Sequence, residues 1–94
     1  MTAWVYILTN ARNGTLYIGV TGDLPRRMYE HREGLYSGFS KTHVLKRLVH
    51  VETFDRIDAA IAREKTLKKW QRAWKIALIE KNNPMWDDLY DQLN

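Results

Sequence analysis

Trp4-Val5-Tyr6-Ile7-Leu8 and Leu16-Tyr17-Ile18-Gly19-Val20 are the two runs whose reading decides the fold. Both are rich in β-branched and aromatic residues, the types that suit a pleated strand. Between them, Thr9–Thr15 contains the pair Asn13-Gly14, a strong turn signal, so the two runs predict a β-hairpin. Alternate side chains of a strand share a face. Tyr6 therefore shares one with Trp4 and Leu8, and Tyr17 shares one with Gly19.

Outward from the hairpin, Asp23 suits the N-cap of a helix that begins at Leu24, with Pro25 tolerated in its first turn. That helix runs to about Glu33, where Gly34 stops it. Tyr36–Lys46 predicts a loop and Arg47–Phe54 a third strand. Asp55 or Asp58 opens a helix through about Trp70, and a second helix follows over Arg72–Asn82. Pro84 breaks it, leaving Trp86–Leu93 as a short closing helix. The order is ββαβααα: a small α/β domain of the α+β kind, a three-stranded antiparallel sheet flanked by helices.

Ninety-four residues and 11.2 kDa allow one domain, residues 1–94, with no internal repeat or linker. Apolar residues at 45% and charged residues at 28% exclude a disordered chain. The absence of cysteine excludes a disulfide scaffold, a cysteine zinc site and a thiol nucleophile, and it fits a cytoplasmic protein. The apolar run Ala3–Leu8 is too short to span a bilayer, and no basic segment precedes it, so neither a membrane protein nor a signal peptide is expected. Net charge is +4, unevenly spread. Residues 63–81 hold Arg63, Lys65, Lys68, Lys69, Arg72, Lys75 and Lys81 against Glu64 and Glu80, whereas 82–94 hold Asp87, Asp88 and Asp91 and no base. The basic block is either a solvated helix face or a contact for a polyanion.

Some residues stand where packing alone would not put them. On the helix ending at Trp70, the apolar stripe Ile57, Ala60, Ile61, Leu67 includes position 64, which is a glutamate. Glu64 is either a structural ion pair at the rim or a metal-binding or catalytic carboxylate in a cleft. On the first helix, Leu24 and Met28 mark the inward stripe, Arg27 and His31 flank it on one face, and Arg26 and Glu30 point elsewhere. Tyr6 and Tyr17 are core tyrosines or catalytic phenols. Phenols, a guanidinium, an imidazole and a carboxylate together suit phosphodiester cleavage. No Ser-His-Asp arrangement, Walker loop, HExxH helix or dinucleotide glycine pattern occurs.

At this point the chain resembles the GIY-YIG nuclease superfamily, in its small stand-alone bacterial members. The likeness lies in Trp4-Val5-Tyr6, then Tyr17-Ile18-Gly19 after ten intervening residues, then Asp23-Leu24, Arg26-Arg27 and Glu30-His31. It continues through Ala62-Arg63-Glu64, Lys68-Lys69-Trp70 and Asn83-Pro84. Trp4 departs from it by replacing the first motif's glycine, and His43 stands where close relatives carry tyrosine, so His43 receives no role.

The resemblance implies roles. Tyr6 and Tyr17 match the paired tyrosines, one a general base or water-orienting group. Arg27 matches the phosphate-binding arginine, His31 a position often held by histidine or tyrosine, and Glu64 the metal-binding glutamate. Asn83 is aligned with a family asparagine and expected at the substrate. Lys68, Lys69, Arg72 and Lys75 are expected on substrate phosphates.

With one carboxylate evident, a single Mg²⁺ or Mn²⁺ ion is expected, completed by waters and phosphate. The expected function is a metal-dependent endonuclease of low sequence specificity, acting on DNA in preference to RNA, and the family resemblance implies hydrolysis that leaves a 5′-phosphate. Any targeting falls to substrate structure or a protein partner. The rival from another class is a basic nucleic-acid-binding module without catalysis. A third reading makes the Asp87–Asp91 tail a protein-docking segment.

Overall fold

The computed structural model describes residues 2–34 and 45–93. Most of the predicted loop, and with it His43, lies outside the described residues. Strand β1 is Ala3–Thr9, β2 is Leu16–Thr21 and β3 is Arg47–Phe54. Helix α1 is Leu24–Arg32, α2 is Ile57–Lys69 and α3 is Arg72–Asn82, and a 3₁₀ turn closes the chain at Leu89–Leu93. This is the expected ββαβααα order, the last helix being 3₁₀.

The sheet is antiparallel throughout, in the order β2-β1-β3. In the hairpin, Tyr6 lies opposite Gly19 and Leu8 opposite Tyr17, so both tyrosines face the same way. The turn forms at the Asn-Gly pair: Asn13 has φ +59° and Gly14 N–H donates to Ala11 O at 2.8 Å. Between β1 and β3 the register shifts after Ile7, which opposes His50, while Leu8 opposes Leu48, so Val49 is an extra residue. The Val49 carbonyl is claimed instead by Asn83 Nδ2 at 3.1 Å. A bulge thus anchors the end of α3.

Alternation divides the core in two. Ala3, Val5, Ile7 and Ile18 pack with Ala60 and Leu67 of α2, Ile79 of α3, and Trp86. On the opposite face Tyr6, Leu8 and Leu48 pack with Leu24 and Met28 of α1 and with Leu45, joined by Leu89 and Tyr90. The sheet is therefore sandwiched, α1 on one side and α2 with α3 on the other.

Three expectations change. Helix α2 opens at Ile57 behind Arg56, with no side-chain cap, and Asp58 in its first turn holds Arg56 through two hydrogen bonds at 3.0 and 3.2 Å. Its inward stripe is narrower than the pattern implies: Ala60 and Leu67 are buried, while Ile57 and Ile61 remain 44% and 37% exposed. The closing helix does not start at Trp86. That residue has φ +58° and is fully buried, with its indole N–H donating to Glu80 Oε2 at 2.7 Å. Burial of the largest side chain outweighs the left-handed backbone, which costs about 1–3 kcal/mol.

The acidic tail folds back on the domain. Asp88 pairs with Arg32 of α1 and accepts hydrogen bonds from the backbone N–H groups of Leu48 and Tyr90. Arg32 also stacks on the Tyr90 ring, 4.0 Å from its centroid. Asp88 is therefore spent within the domain, against the reading of this tail as a docking segment.

Candidate active site

Gly19 makes room for the centre of the site. A Cβ at that position would stand 2.4 Å from Cζ and Oη of Tyr6. Only a glycine opposite Tyr6 lets the phenol lie across β2. Tyr6 is buried, and its Oη is 3.1 Å from Nε2 of His31, which comes from α1. Tyr17 completes a cluster of three rings. His31 stands edge-on to both tyrosines, with centroids 5.7 Å apart in each pair, and the two tyrosines are 6.3 Å apart. Such tilted contacts set the positive edge of one ring against the negative face of another.

His31 is buried, not on the rim of α1. Burial and the adjacent Arg27 lower its pKa to about 4, against a smaller opposing effect of Glu30. At neutral pH it is an uncharged imidazole, with one nitrogen donating and the other accepting. Arg27 lies one turn before it, with Nε 3.3 Å from Glu30 Oε1. Glu30 therefore belongs to this face, contrary to the helical projection, and it also reaches Arg26 at 3.6 Å. Arg26, Arg27 and Glu30, with Thr21, Gly22 and Asp23, line a concavity of about 360 Å³ beside the rings. The expected N-cap holds, with Arg26 N–H donating to Asp23 Oδ1 at 3.3 Å.

On the other side, Tyr17 lines a second concavity of about 280 Å³ with Leu16, Ile18, Lys68 and Lys75. Because β2 is an edge strand, groups from both layers meet there. Glu64, on α2, retains 14% side-chain exposure and pairs with Lys68 Nζ at 3.0 Å. An ion pair of this kind is what the bland reading of Glu64 requires. It also brings the carboxylate within one side chain of the Tyr17 concavity. As a donor set, one partly exposed carboxylate fits a hard cation held mainly by water and phosphate oxygens, not a closed protein cage. Among the described residues no three His, Cys, Asp or Glu side chains cluster.

The remaining expected residues separate. Lys68 and Lys75 line the concavity, and Lys69 is exposed to solvent. Arg72 is fastened to the hairpin turn, donating to the carbonyls of Asn13 and Gly14 at 2.7 and 2.6 Å. Asn83 is buried. Its amide donates to Val49 O and Asp87 O, and its carbonyl accepts from Asp87 N–H at 3.0 Å. Arg72 Nη2 and the Asn83 amide are thus turned to the backbone of other segments of the domain.

Sequence reading missed a chain of charges on the other face. His50 Nε2 is 2.8 Å from Glu52 Oε2, and Arg63 grips Glu52 with two hydrogen bonds at 2.9 and 3.1 Å. Burial pushes the Glu52 carboxyl up, but Arg63 and His50 together hold it below the usual value. The alternation of His50 and Glu52 in β3 was the available signal.

A family model for the GIY-YIG catalytic domain matches residues 2–77. The chain belongs to the GIY-YIG family. A UPF0213 protein of Syntrophus aciditrophicus is 38% identical over 80 residues, covering 84% of this chain and 91% of that protein. One of Natronomonas pharaonis is also 38% identical, over 76 residues, covering 81% and 88%. The solution NMR structure of a UPF0213 protein from Bacillus halodurans superposes with a TM-score of 0.57 at 26% identity, covering 94% of this chain and 93% of that one. This GIY-YIG chain is therefore similar to a set of small stand-alone proteins and shares their fold. No helix among the described residues is long and apolar enough to cross a membrane.

Proposed function

We propose that this chain is a divalent-metal-dependent endonuclease that hydrolyses phosphodiester bonds in DNA. The observation that carries the reading is the hydrogen bond between Tyr6 and His31 at 3.1 Å, with Tyr17 and Arg27 grouped around it. A phenol pair, a neutral imidazole and a guanidinium on one face form a phosphate-reacting set, and the match to the GIY-YIG catalytic domain supports it.

Arg27 binds the scissile phosphate and stabilises its developing charge, with Glu30 holding the guanidinium side-on. Tyr17 orients the attacking water and takes its proton. Cations beside a phenol favour its ionised form, and Lys68 and Lys75 share its concavity. Tyr6 is enclosed and hydrogen-bonded to a neutral ring, so it fixes the geometry of Tyr17 and His31. Glu64 would hold one Mg²⁺ or Mn²⁺ ion, with water and phosphate oxygens completing the shell. When bound, the cation would neutralise negative charge on the phosphate. Lysines and an arginine contact phosphates without reading bases, so low sequence specificity follows. Residues 1–94 act as a single domain in this reading.

Nicking of supercoiled plasmid in Mg²⁺, Mn²⁺ and EDTA is the direct test. Cleavage is expected with metal and not with EDTA. Glu64→Ala should lose cleavage and keep its circular dichroism; full activity in that variant would overturn the ligand assignment. The Glu64–Lys68 ion pair specifically favours the rival, a binding module without catalysis. That reading requires DNA to be bound and left intact in either metal.

A further inference from the structure

Trp70, at the C-cap of α2, and Trp74, Ala77 and Leu78 of α3 line an open apolar groove of about 430 Å³, with Lys81 at its rim. Trp74 is 53% exposed. Its ring is nearly perpendicular to that of Trp70, at 84° with centroids 6.0 Å apart. Trp70 is held from behind, because the Arg63 guanidinium sits 5.1 Å from its ring centroid and is itself gripped by Glu52. The groove thus has a braced floor and one aromatic face presented to solvent. Nothing in the Tyr6–His31–Tyr17 chemistry uses it.

The charge around the groove identifies what would cover it. Among the described residues no carboxylate lines it. Lys81 stands at its rim, and residues 63–81 carry seven Lys and Arg side chains against Glu64 and Glu80, a net positive segment. An aromatic face set in positive charge suits a π-system carried on a polyanion. Its position relative to the candidate site is equally specific. Lys75 lines the Tyr17 concavity and Trp74 lines the groove. Consecutive residues of a helix point about 100° apart, so α3 has one concavity on each side of its first turns.

We infer that the Trp74 groove is a base-stacking subsite, taking an unpaired base of the DNA strand whose neighbouring phosphate lies at Lys68 and Lys75. The order along the strand rests on the proposed cleavage site; the ligand chemistry of the groove does not. Bases stacked within a duplex have no free face to offer, so the subsite selects DNA with unpaired bases beside the cut.

The test is binding in EDTA, by fluorescence anisotropy, of three labelled probes: a twelve-nucleotide oligothymidylate, an abasic chain of the same length, and a twelve-base-pair duplex. Trp74→Ala should weaken oligothymidylate binding about tenfold or more. Trp74→Phe should restore most of it. The abasic chain and the duplex should bind wild type and Trp74→Ala alike, and the salt slope should not change, because the phosphate contacts remain. Equal oligothymidylate affinity in wild type and Trp74→Ala overturns the subsite, as does equal weakening on the abasic chain. Gel filtration that finds a wild-type dimer and a Trp74→Ala monomer assigns the groove to a second copy and also overturns it. Plasmid nicking separates the two proposals. Base-dependent loss at Trp74 with no strand breaks in either metal removes the nuclease and keeps the subsite. Strand breaks with unchanged Trp74→Ala binding do the reverse.

Discussion

Gly19 and Tyr6 occupy one space between them, and the substitution that tests this is the smallest available. Gly19→Ala would drive a methyl to 2.4 Å from the phenol, so ring or strand must shift. We expect destabilisation of about 1–3 kcal/mol in urea melts and a larger loss of cleavage than of DNA binding. His31 makes a prediction about acid. Its pKa in the fold is about 4, below the free value of 6.5. Between those values the unfolded chain binds the extra proton and the folded chain does not, so stability rises with pH across the window. The stabilisation is complete above about pH 6.5 and disappears as pH falls toward 4, a change on the order of 3 kcal/mol. Melts of wild type and His31→Gln at stepped pH check this; the variant should lack that slope, whatever its absolute stability. Tyr6, Tyr17, Arg27, His31 and Glu64 were legible as candidates because Glu64 falls on an inward stripe, Arg27 and His31 flank one, and the two tyrosines lie on paired strands. Their spacing could not say that His31 would be uncharged, or that Glu30 would turn to Arg27.

At the scale of the elements, the bounds of β3 and α3 agree with the pattern, because turn signals or breakers flank both. Helix α2 agrees less well, since Ile57 and Ile61 repeat at helical spacing but find no sheet beneath them. Periodicity reports which residues share a face, not whether a neighbour extends far enough to cover it. Asn83 and Arg72 are instructive. Each binds backbone carbonyls of another element, Asn83 at the β3 bulge and Arg72 at the hairpin turn. Asn83→Ala leaves the Asp87 N–H and the Val49 carbonyl without partners and should cost about 2–4 kcal/mol, read as a lower midpoint in urea. DNA binding by the folded variant should not change.

For the whole molecule, the charge map separates groups bound within the domain from the surface proposed for DNA. Lys68 and Lys75 border the Tyr17 concavity, whereas Arg72 is turned to the hairpin. Lys68→Ala and Lys75→Ala should each reduce the slope of log affinity against log salt by about 1, uniformly across DNA sequences. Arg72→Ala should lower the melting temperature and leave that slope alone. Asp88 ties α1, β3 and the closing turn together, so Asp88→Ala should loosen the chain after Trp86 first. Hydrogen exchange at Tyr90 should then rise before exchange in the strands does.

By itself the sequence determined the hairpin, the order of elements and the inward polar residues, because turn chemistry and the periods of strand and helix are local properties. Only the tertiary structure decided which polar groups work together. The Tyr6 to His31 hydrogen bond spans 25 residues, the Arg63 to Glu52 grip 11 and the Arg72 to hairpin contacts 58 and 59. Such pairings depend on how far each layer reaches and how it is rotated, and no local preference encodes that. The same is true of the exposed Trp74. The residue is 53% exposed, and no local preference encodes that either.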